Sequence, residues 1–292
     1  MMILQILANG VCLSAVYVLL AIGFGLIYFT TKTFHIAYGA LYTIGAYVGF
    51  FAVVTMALPR WAGAFLAVVS TGLAGVLLER FLHRPLAARR SQPEIVMIAS
   101  LGVYIAAANG IAIIAGSQTR LLQSGVAQTL DLGVVALTKV QVTQLLTGTA
   151  IAVGLAALLR VHRQGQDLRA IADNSVLAEV VGIDVAATRC LAFGTGAGLA
   201  GLAGYLRALD VGVDPNVGFN AVLVAAVCCV VGGLGIYTAP IAGALLLGLA
   251  QSLGGWFGSS RWEHATTFIL LVAVLVIRPE GIFGTRKRLE ET

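Results

Sequence analysis

The side chains that could perform catalysis or bind metal are few in this sequence and do not cluster. Four histidines occur among the 292 residues: His35, His83, His162 and His264. Their spacing does not match a zinc site, and the H-E-x-x-H pattern is missing. Neither a G-x-x-x-x-G-K-[ST] phosphate-binding loop nor a G-x-S-x-G nucleophile turn is present. We therefore expect no enzymatic activity, no metal or cofactor site, and no ATP bound through a phosphate-binding loop.

Ionisable side chains also avoid the interiors of the long apolar segments. Four lie at or near the predicted ends of such segments: Glu79, Glu94, Arg207 and Asp210. His35, beside Lys32, is expected at a membrane interface. A charge at the centre of a bilayer is costly and usually functional, so this pattern argues against a proton pump with a buried carboxylate relay. It leaves open a sodium-coupled carrier that binds its ion through backbone carbonyls at broken helices. Otherwise the energy for active transport would come from another subunit.

The composition specifies the elements that position these groups. The chain is 59% hydrophobic and 11% charged, whereas soluble domains are about 25% charged, and its mean hydropathy is +0.95. One membrane-spanning helix needs about 20 apolar residues. We predict an all-α fold, a polytopic transmembrane helical bundle of about eight or nine spans in one domain, 1–292. The apolar segments are 3–29, 36–58, 62–82, 94–116, 140–159, 188–206, 217–233, 239–256 and 264–277.

Glycine is the second feature of these segments. The chain has 35 glycines, and small residues recur every four positions between Gly194 and Gly204. Small residues let helices in lipid approach closely. We therefore interpret this run as a helix-packing surface rather than a ligand site.

Most of the 18 Lys and Arg residues lie in three places, 80–94, 160–189 and the C-terminal tail. The positive-inside rule puts all three, and hence the C-terminus, in the cytoplasm. The same clustering in a few loops between apolar spans argues against a nucleic-acid partner. Residues 35–47 are rich in Gly and Tyr and could form a broken or re-entrant helix, which leaves the side of the N-terminus open. The polar segment 117–139 is expected to form either short strands or an interfacial helix.

The segment 163–189 is long for a loop between spans and keeps a helical pattern. Apolar and small residues such as Leu168 and Ile171 alternate with polar ones at helical spacing. Gly182 is placed to end this helix in the left-handed conformation, and Asp184 to cap the next one. We expect the apolar face of the helix to be uncovered by its own chain. It would then dock on a partner protein, lie on lipid, or remain a solvated connector.

Several motifs together resemble one family. The segment 163–189 resembles the coupling loop of ABC-importer permeases. Three further stretches resemble the branched-chain amino acid permeases of that group: ANGVCLSAVYVLLAIGFGLIY with FHIAYGALYTIGAY, VVGGLGIYTAPIAGALLLGLAQSL, and VLVIRPEGIFGTRKR. The likeness covers most of the chain in family order. Two departures, at 33–39 and 236–240, put the identity of the solute in doubt rather than the fold.

The resemblance implies the permease subunit of an ATP-driven importer for branched-chain or related amino acids, a multi-pass protein of the bacterial inner membrane. Its partners would be a second permease subunit, similar or identical, two cytoplasmic ATP-binding subunits, an extracytoplasmic solute-binding protein and membrane lipid. Coupling to the ATPases would lie in the loop of about 160–189, on Asp167, Arg169, Asp173, Glu179, Gly182 and Asp184. Polar residues in or bordering apolar segments are the candidates for lining the pathway: Tyr38, Tyr42, Asn109 and Asn220.

Two other classes of protein remain open from the sequence. A stand-alone secondary carrier or channel for a small polar solute would transport without partners, and would need an ion site such as unwound backbone near 232–240. A non-transporting membrane scaffold would tolerate changes from polar to apolar residues along the spans.

Overall fold

The computed structural model describes residues 2–89, 91–122, 129–131, 135–233, 237–257, 262–278 and 280–284. Within these residues the fold is helical apart from one antiparallel hairpin, as predicted, with strands β1 (Thr129–Asp131) and β2 (Ala136–Thr138). Short π-helical segments, Phe51–Thr55 and Glu79–His83, extend α2 and join α3 to α4. The helices are α1 (Met2–Thr31), α2 (Tyr38–Phe50), α3 (Arg60–Leu78), α4 (Arg84–Ala88), α5 (Pro93–Ala115), α6 (Lys139–Val161), α7 (Arg163–Asp173), α8 (Ser175–Val180), α9 (Val185–Val211), α10 (Val217–Gly232), α11 (Ala239–Phe257) and α12 (Trp262–Ile277).

The long helices match the predicted spans. In the described part of the chain, seven helical segments are long and apolar enough to cross a membrane: Met2–Thr31, Tyr38–Thr55, Arg60–Ala88, Pro93–Ala115, Lys139–Val161, Val185–Val211 and Ala239–Trp256. Two shorter apolar helices, Val217–Gly232 and Ala265–Ile277, match the other two predicted segments. A helix of 16 residues is about 24 Å long, close to the bilayer core of about 30 Å. The prediction of eight or nine spans is compatible with this arrangement.

Helix α1 lies at the centre of the bundle, where it contacts α6, α9, α10 and α11. In its most apolar stretch, 89% of the residues are buried inside the protein, against 17% for α5. Leu19 and Leu26 on α1 are completely buried. A helix that is apolar on all sides must be covered by protein or by lipid. The core of the bundle is therefore built around α1, whereas α5 presents its apolar surface outward.

Glycines on α9 allow neighbouring helices to pack backbone against backbone, as predicted. A Cβ added at Gly201 would overlap the side chain of Thr71 on α3, and one added at Gly45 on α2 would overlap the backbone of Gly201. On the same helix, a Cβ at Gly204 would meet the carbonyl of Tyr42. These positions bring α2 and α3 close to α9, and Tyr42 and Gly204 at the contact of α2 with α9 line the cavity described below.

Of the two alternatives for the polar segment before α6, short strands or an interfacial helix, the structure shows short strands. Strands β1 and β2 pair Thr129 with Thr138 and Leu130 with Leu137. The side chain of Gln5 on α1 binds the backbone of Ala136 twice, at 2.7 Å and 2.9 Å. The hairpin is thereby tied to the N-terminal end of α1, opposite the end that carries α7 and α8.

The chain after α12 turns back onto α10. The backbone N–H groups of Ile282 and Phe283 donate to the carbonyls of Val231 and Gly232, at 2.9 Å and 3.0 Å. Gly233 follows α10 with a φ of +116°, a left-handed value that favours glycine. The end of α10 is therefore held by the C-terminal segment. Residues 234–236, part of the glycine-rich stretch singled out in the sequence, lie outside the described residues.

Candidate coupling loop and solute cavity

The predicted cytoplasmic helix is divided into two at Asn174. This residue has an extended backbone, with φ −153° and ψ 107°, which ends α7. Its side-chain oxygen accepts hydrogen bonds from the N–H groups of Val176 and Leu177, at 3.0 Å and 3.1 Å. Asparagine is one of the strongest N-capping residues, so the sequence that ends α7 also starts α8. The expectation of one helical pattern running through to Gly182 missed this break.

The apolar face of α7 is covered by the chain itself, so the expectation of an uncovered face is wrong for this helix. Leu168 and Ile171 are each only 2% exposed, and α7 packs against α1, α6 and α9. Gly165 permits the tight corner, because a Cβ there would overlap the backbone of Leu159 at the end of α6. The amphipathic pattern therefore anchors α7 to the bundle.

Helix α8 carries the apolar surface that the chain leaves uncovered. Ala178 is buried beneath it. Four larger apolar side chains on α8 and the residue after it point outward, with exposures of 68%, 62%, 78% and 75%: Val176, Leu177, Val180 and Val181. We call these four residues the α8 patch. They lie between the candidate spans, so the bilayer core does not cover them by default.

The end of the loop has the local geometry that the sequence predicted. Gly182 has a φ of +89°, and its N–H donates to the carbonyl of Glu179 at 3.0 Å. The N–H of Ile183 donates to the carbonyl of Ala178, also at 3.0 Å. The side chain of Asp184 accepts from the N–H of Ala187 at 2.9 Å and caps α9. Both helix-end predictions are confirmed.

Three of the six predicted coupling residues lie on α7, one lies on α8, and two lie between α8 and α9. Asp167 is half-buried and the other five are exposed: Arg169, Asp173, Glu179, Gly182 and Asp184. Arg169 donates to the carbonyl of Arg160 at 3.4 Å. These positions are compatible with contact to a partner, and their role in coupling stays a prediction.

Tyr237 connects α7 to the turn before α11, and the sequence reasoning did not assign it this contact. Its hydroxyl donates to the carbonyl of Leu168 at 2.9 Å, and its ring meets Phe29 of α1 edge-on at 5.0 Å. Burial, together with the nearby Asp173 carboxylate, raises the pKa of Tyr237 above its usual value. The hydroxyl therefore stays protonated and remains a donor. The residue lies in one of the stretches that depart from the family pattern, which is the signal that could have directed attention to it.

The four predicted pathway residues divide into two pairs. Tyr42 and Asn220 line one cavity of about 290 Å³ between α1, α2, α9 and α10. Tyr38 instead fills the core, where it is 0% exposed and donates to the carbonyl of Leu20 at 2.8 Å. Asn109 lies on the exposed surface of α5 and donates to the carbonyl of Ile105 in the preceding turn. The structure therefore brings Tyr42 and Asn220 together and leaves the other two apart.

One member of an ion pair joins Tyr42 and Asn220 in the wall of this cavity. Arg207 lines it, and its Nη1 lies 3.2 Å from Oδ2 of Asp210. A neighbouring cavity of about 280 Å³ also has Arg207 in its wall, together with Asp210 and Gln251. The sequence placed both charged residues at the end of a span, but it could not show that they border a cavity.

A family model described as "Branched-chain amino acid transport system / permease component" matches residues 6–275. The chain belongs to this family. The permease protein LivH of the high-affinity branched-chain amino acid transport system of Escherichia coli K12 is 31% identical to this permease over 296 residues, which cover 96% of this chain and 95% of LivH. The corresponding BraD of Pseudomonas aeruginosa is 29% identical, with coverage of 96% and 95%. The probable LivH of Methanocaldococcus jannaschii is 26% identical, with coverage of 96% and 92%.

A solved structure has the same overall fold as this permease. It is "PsaBC from Streptococcus pneumoniae in complex with Fab", with a TM-score of 0.54 over 94% of this chain and 92% of that chain. The sequence identity is 12%, so the likeness concerns the fold alone. The family and the long apolar helices together make this chain a multi-pass membrane permease component.

The permease also contains a buried histidine pair, which the sequence reasoning did not predict. His35 was expected at a membrane interface, but it is 0% exposed, and its Nδ1 lies 2.9 Å from Nε2 of His83. Both rings pack on Phe193 of α9. Burial, and then the neighbouring His83, lower the pKa of His35 well below its usual value of 6.5. His35 lies between two candidate spans, and the turn there folds inward, so that neutral His35 is covered by protein and pairs with His83 at the end of the extension of α3.

Proposed function

We propose that this chain is the transmembrane permease subunit of an ATP-driven importer for branched-chain or related amino acids, with residues 1–292 forming one permease domain. The substrate class comes from the names of its relatives. Its partners are a second, similar or identical permease subunit, two cytoplasmic ATP-binding subunits, an extracytoplasmic solute-binding protein and membrane lipid. ATP binding on the partners biases the complex between inward-open and outward-open states, which produces alternating access.

The observation that carries the proposal is the α8 patch. Exposed apolar surface outside the spans is unfavourable in water, and a rimmed apolar patch typically marks a protein interface. Burying one Val or Leu side chain completely contributes about 1.5–3 kcal/mol. A partner that covers the four side chains would therefore be held by several such contributions. The exposed charges of Asp173 and Glu179 lie beside the patch, where they favour a partner with basic groups.

The structure also supports a route from this surface to the membrane domain. Helix α7 is anchored in the bundle by Leu168 and Ile171, and the carbonyl of Leu168 accepts the Tyr237 hydroxyl. Tyr237 stands between the end of α10 and the start of α11. A displacement of α8 by the ATPase would move α7, and α7 would move this turn. Packed elements transmit such shifts because they have discrete arrangements rather than continuous ones.

The orientation follows from the same assignment. The ATPases are cytoplasmic, so α7, α8 and the C-terminus face the cytoplasm of a bacterial cell. The loops that carry most of the basic residues are then inside, as the positive-inside rule requires. The hairpin β1–β2 and the Arg207 end of α9 face the side on which the solute-binding protein delivers its ligand.

Co-purification tests the proposal. The tagged permease is expressed with its ATPase and second permease subunit, solubilised in detergent and captured, as wild type, L177D and V180D. A charge in the α8 patch should abolish ATPase recovery, because a buried unpaired carboxylate is strongly unfavourable. The matched control is L121D, since Leu121 is also apolar and 64% exposed but lies near the Arg207 end of the bundle.

Equal ATPase recovery from L177D, V180D and wild type would show that the α8 patch is not the docking surface. A permease that purifies without any ATPase, and still moves leucine into liposomes by itself, would contradict the importer. That result would instead favour the stand-alone carrier.

A further inference from the structure

One ion pair lies where two cavities adjoin, at the end of the bundle opposite α8: Arg207 lines both cavities, and Asp210 lines the second. Arg207 and Asp210 are three residues apart near the C-terminal end of α9, so they face the same side of the helix. Their side chains keep 26% and 24% of their exposure. Both charges are therefore partly removed from water but remain accessible to a small molecule.

The cavity beside this pair has an apolar side and a polar side. Leu20 and Val224 contribute apolar surface, whereas Tyr42 and Asn220 contribute a hydroxyl and an amide. In the part of the chain that the structure describes, neither Tyr42 nor Asn220 makes a side-chain hydrogen bond to protein. The volume of about 290 Å³ is close to the lower end, about 300 Å³, of small-molecule sites.

A separate hydrogen-bond network holds Tyr17 and Gln251 in the wall of the cavity. The hydroxyl of Tyr17 donates to Oε1 of Gln251 at 2.6 Å, and Nε2 of Gln251 donates to Oγ1 of Thr267 at 2.6 Å. Gln251 also lines the neighbouring cavity with Arg207. These bonds connect α1, α11 and α12 and keep the polar wall in place, so that the two cavities share a pre-formed boundary.

We propose that Arg207 and Asp210 form a transit site for a zwitterionic α-amino acid with an apolar side chain. The solute carboxylate accepts from the Arg207 guanidinium, and the ammonium group donates to the Asp210 carboxylate. The aliphatic side chain lies against Leu20 and Val224. This assignment rests on the proposed function, because it is the transport of amino acids that makes a zwitterion the expected solute.

The existing ion pair suits transit better than tight binding. Because Arg207 and Asp210 already satisfy each other, neither charge is left unpaired when the site is empty. A zwitterion exchanges one ion pair for two, and it leaves the net charge of the site unchanged. A simple anion or cation would leave one protein charge without its partner. Conduction requires binding that is favourable enough for entry and weak enough for release.

The test measures L-leucine uptake and ATP hydrolysis by the intact complex in proteoliposomes with its solute-binding protein. R207Q should lower leucine uptake per ATP hydrolysed by about tenfold or more, the effect of losing one charge-assisted hydrogen bond. The KM should not change, because the binding protein sets it. R207K should lose less, and D210N should show the same type of loss as R207Q. R120Q is the matched control, since Arg120 is exposed at the same end of the bundle outside both cavities.

Unchanged uptake per ATP in R207Q would overturn the transit site. A parallel fall of uptake and ATP hydrolysis would also overturn it, because that result shows a purely structural ion pair. If R207Q does not assemble, leucine uptake per ATP hydrolysed in R207K and D210N tests the transit site instead. A wild-type complex that takes up neither leucine nor any related amino acid, or that binds no ATPase, would instead refute the proposed function, so the two failures are distinguishable.

Discussion

Replacing Tyr237 by phenylalanine tests whether α7 transmits movement to the turn before α11. The change removes one hydroxyl and leaves the ring on Phe29 at 5.0 Å. The lost hydrogen bond, 2.9 Å to the carbonyl of Leu168, is buried, since Tyr237 is 7% exposed. Losing a buried hydrogen bond costs about 1–3 kcal/mol, which corresponds to roughly a five- to 150-fold change in the equilibrium between two linked states. We therefore expect Y237F to lower leucine uptake per ATP hydrolysed by at least about fivefold.

The assay is uptake and ATP hydrolysis by the complete complex in proteoliposomes, with ATPase recovery as a check on assembly. Y205F is the matched control. The hydroxyl of Tyr205 donates to the carbonyl of Arg60, also at 2.9 Å, far from α7, and Tyr205 is 1% exposed. If coupling runs through α7, Y237F uncouples the complex and Y205F lowers only its thermal stability. Equal uptake per ATP in the two variants would refute the reasoning, because any buried tyrosine bond would then have the same effect.

Three further predictions concern packing, helix ending and pH. G201V should lower the Tm of the detergent-solubilised permease sharply, because its side chain overlaps Thr71, whereas G102V has open space around it and should lower the Tm little. G182A should destabilise the end of α8 by about 1–2 kcal/mol, because Gly182 has a φ of +89°, which is unfavourable for alanine. Amides of α8 should then exchange hydrogen faster by roughly fivefold or more, and unchanged rates would contradict the helix-ending role. The pKa of His35 is lowered in the folded protein, so below about pH 6.5 the unfolded chain binds more protons than the folded one. The free energy of unfolding therefore decreases as the pH is lowered below that value. H35Q should reduce this fall, measured as Tm between about pH 7.5 and pH 5.5, and an equal fall in H35Q would rule out His35 as its source.

The division of the loop into α7 and α8 assigns different tasks to two short helices. The same sequence pattern that suggested one docking helix serves to anchor α7, while the α8 patch stays outside. Asn174 makes this possible, because it ends one helix and caps the next within a single residue. An anchored helix followed by an exposed one can pass a displacement inward, which a freely hinged docking segment could not do.

Local features of the site could be predicted from the sequence because they depend on neighbours in the chain. Gly182 and Asp184 end and start helices through contacts within five residues. The apolar segments, the family motifs and the small-residue run on α9 are likewise visible without knowledge of the fold. Asn174 is the local signal for the break between α7 and α8, and the sequence reasoning did not use it. Its amide side chain and its position two residues after Ala172, the last apolar residue of α7, are both visible in the sequence.

Only the tertiary structure decided which polar and apolar residues meet. Helices α1 and α5 are both apolar on all sides, yet one is the core and the other faces outward. Tyr38 and Tyr42 are four residues apart on α2, but only Tyr42 borders the cavity. Hydropathy measures the preference of a residue for leaving water, and protein and lipid satisfy that preference equally well. The choice between them, and the meeting of Arg207 with Tyr42 and of Tyr237 with Leu168, depends on contacts between distant parts of the chain, which no local pattern contains.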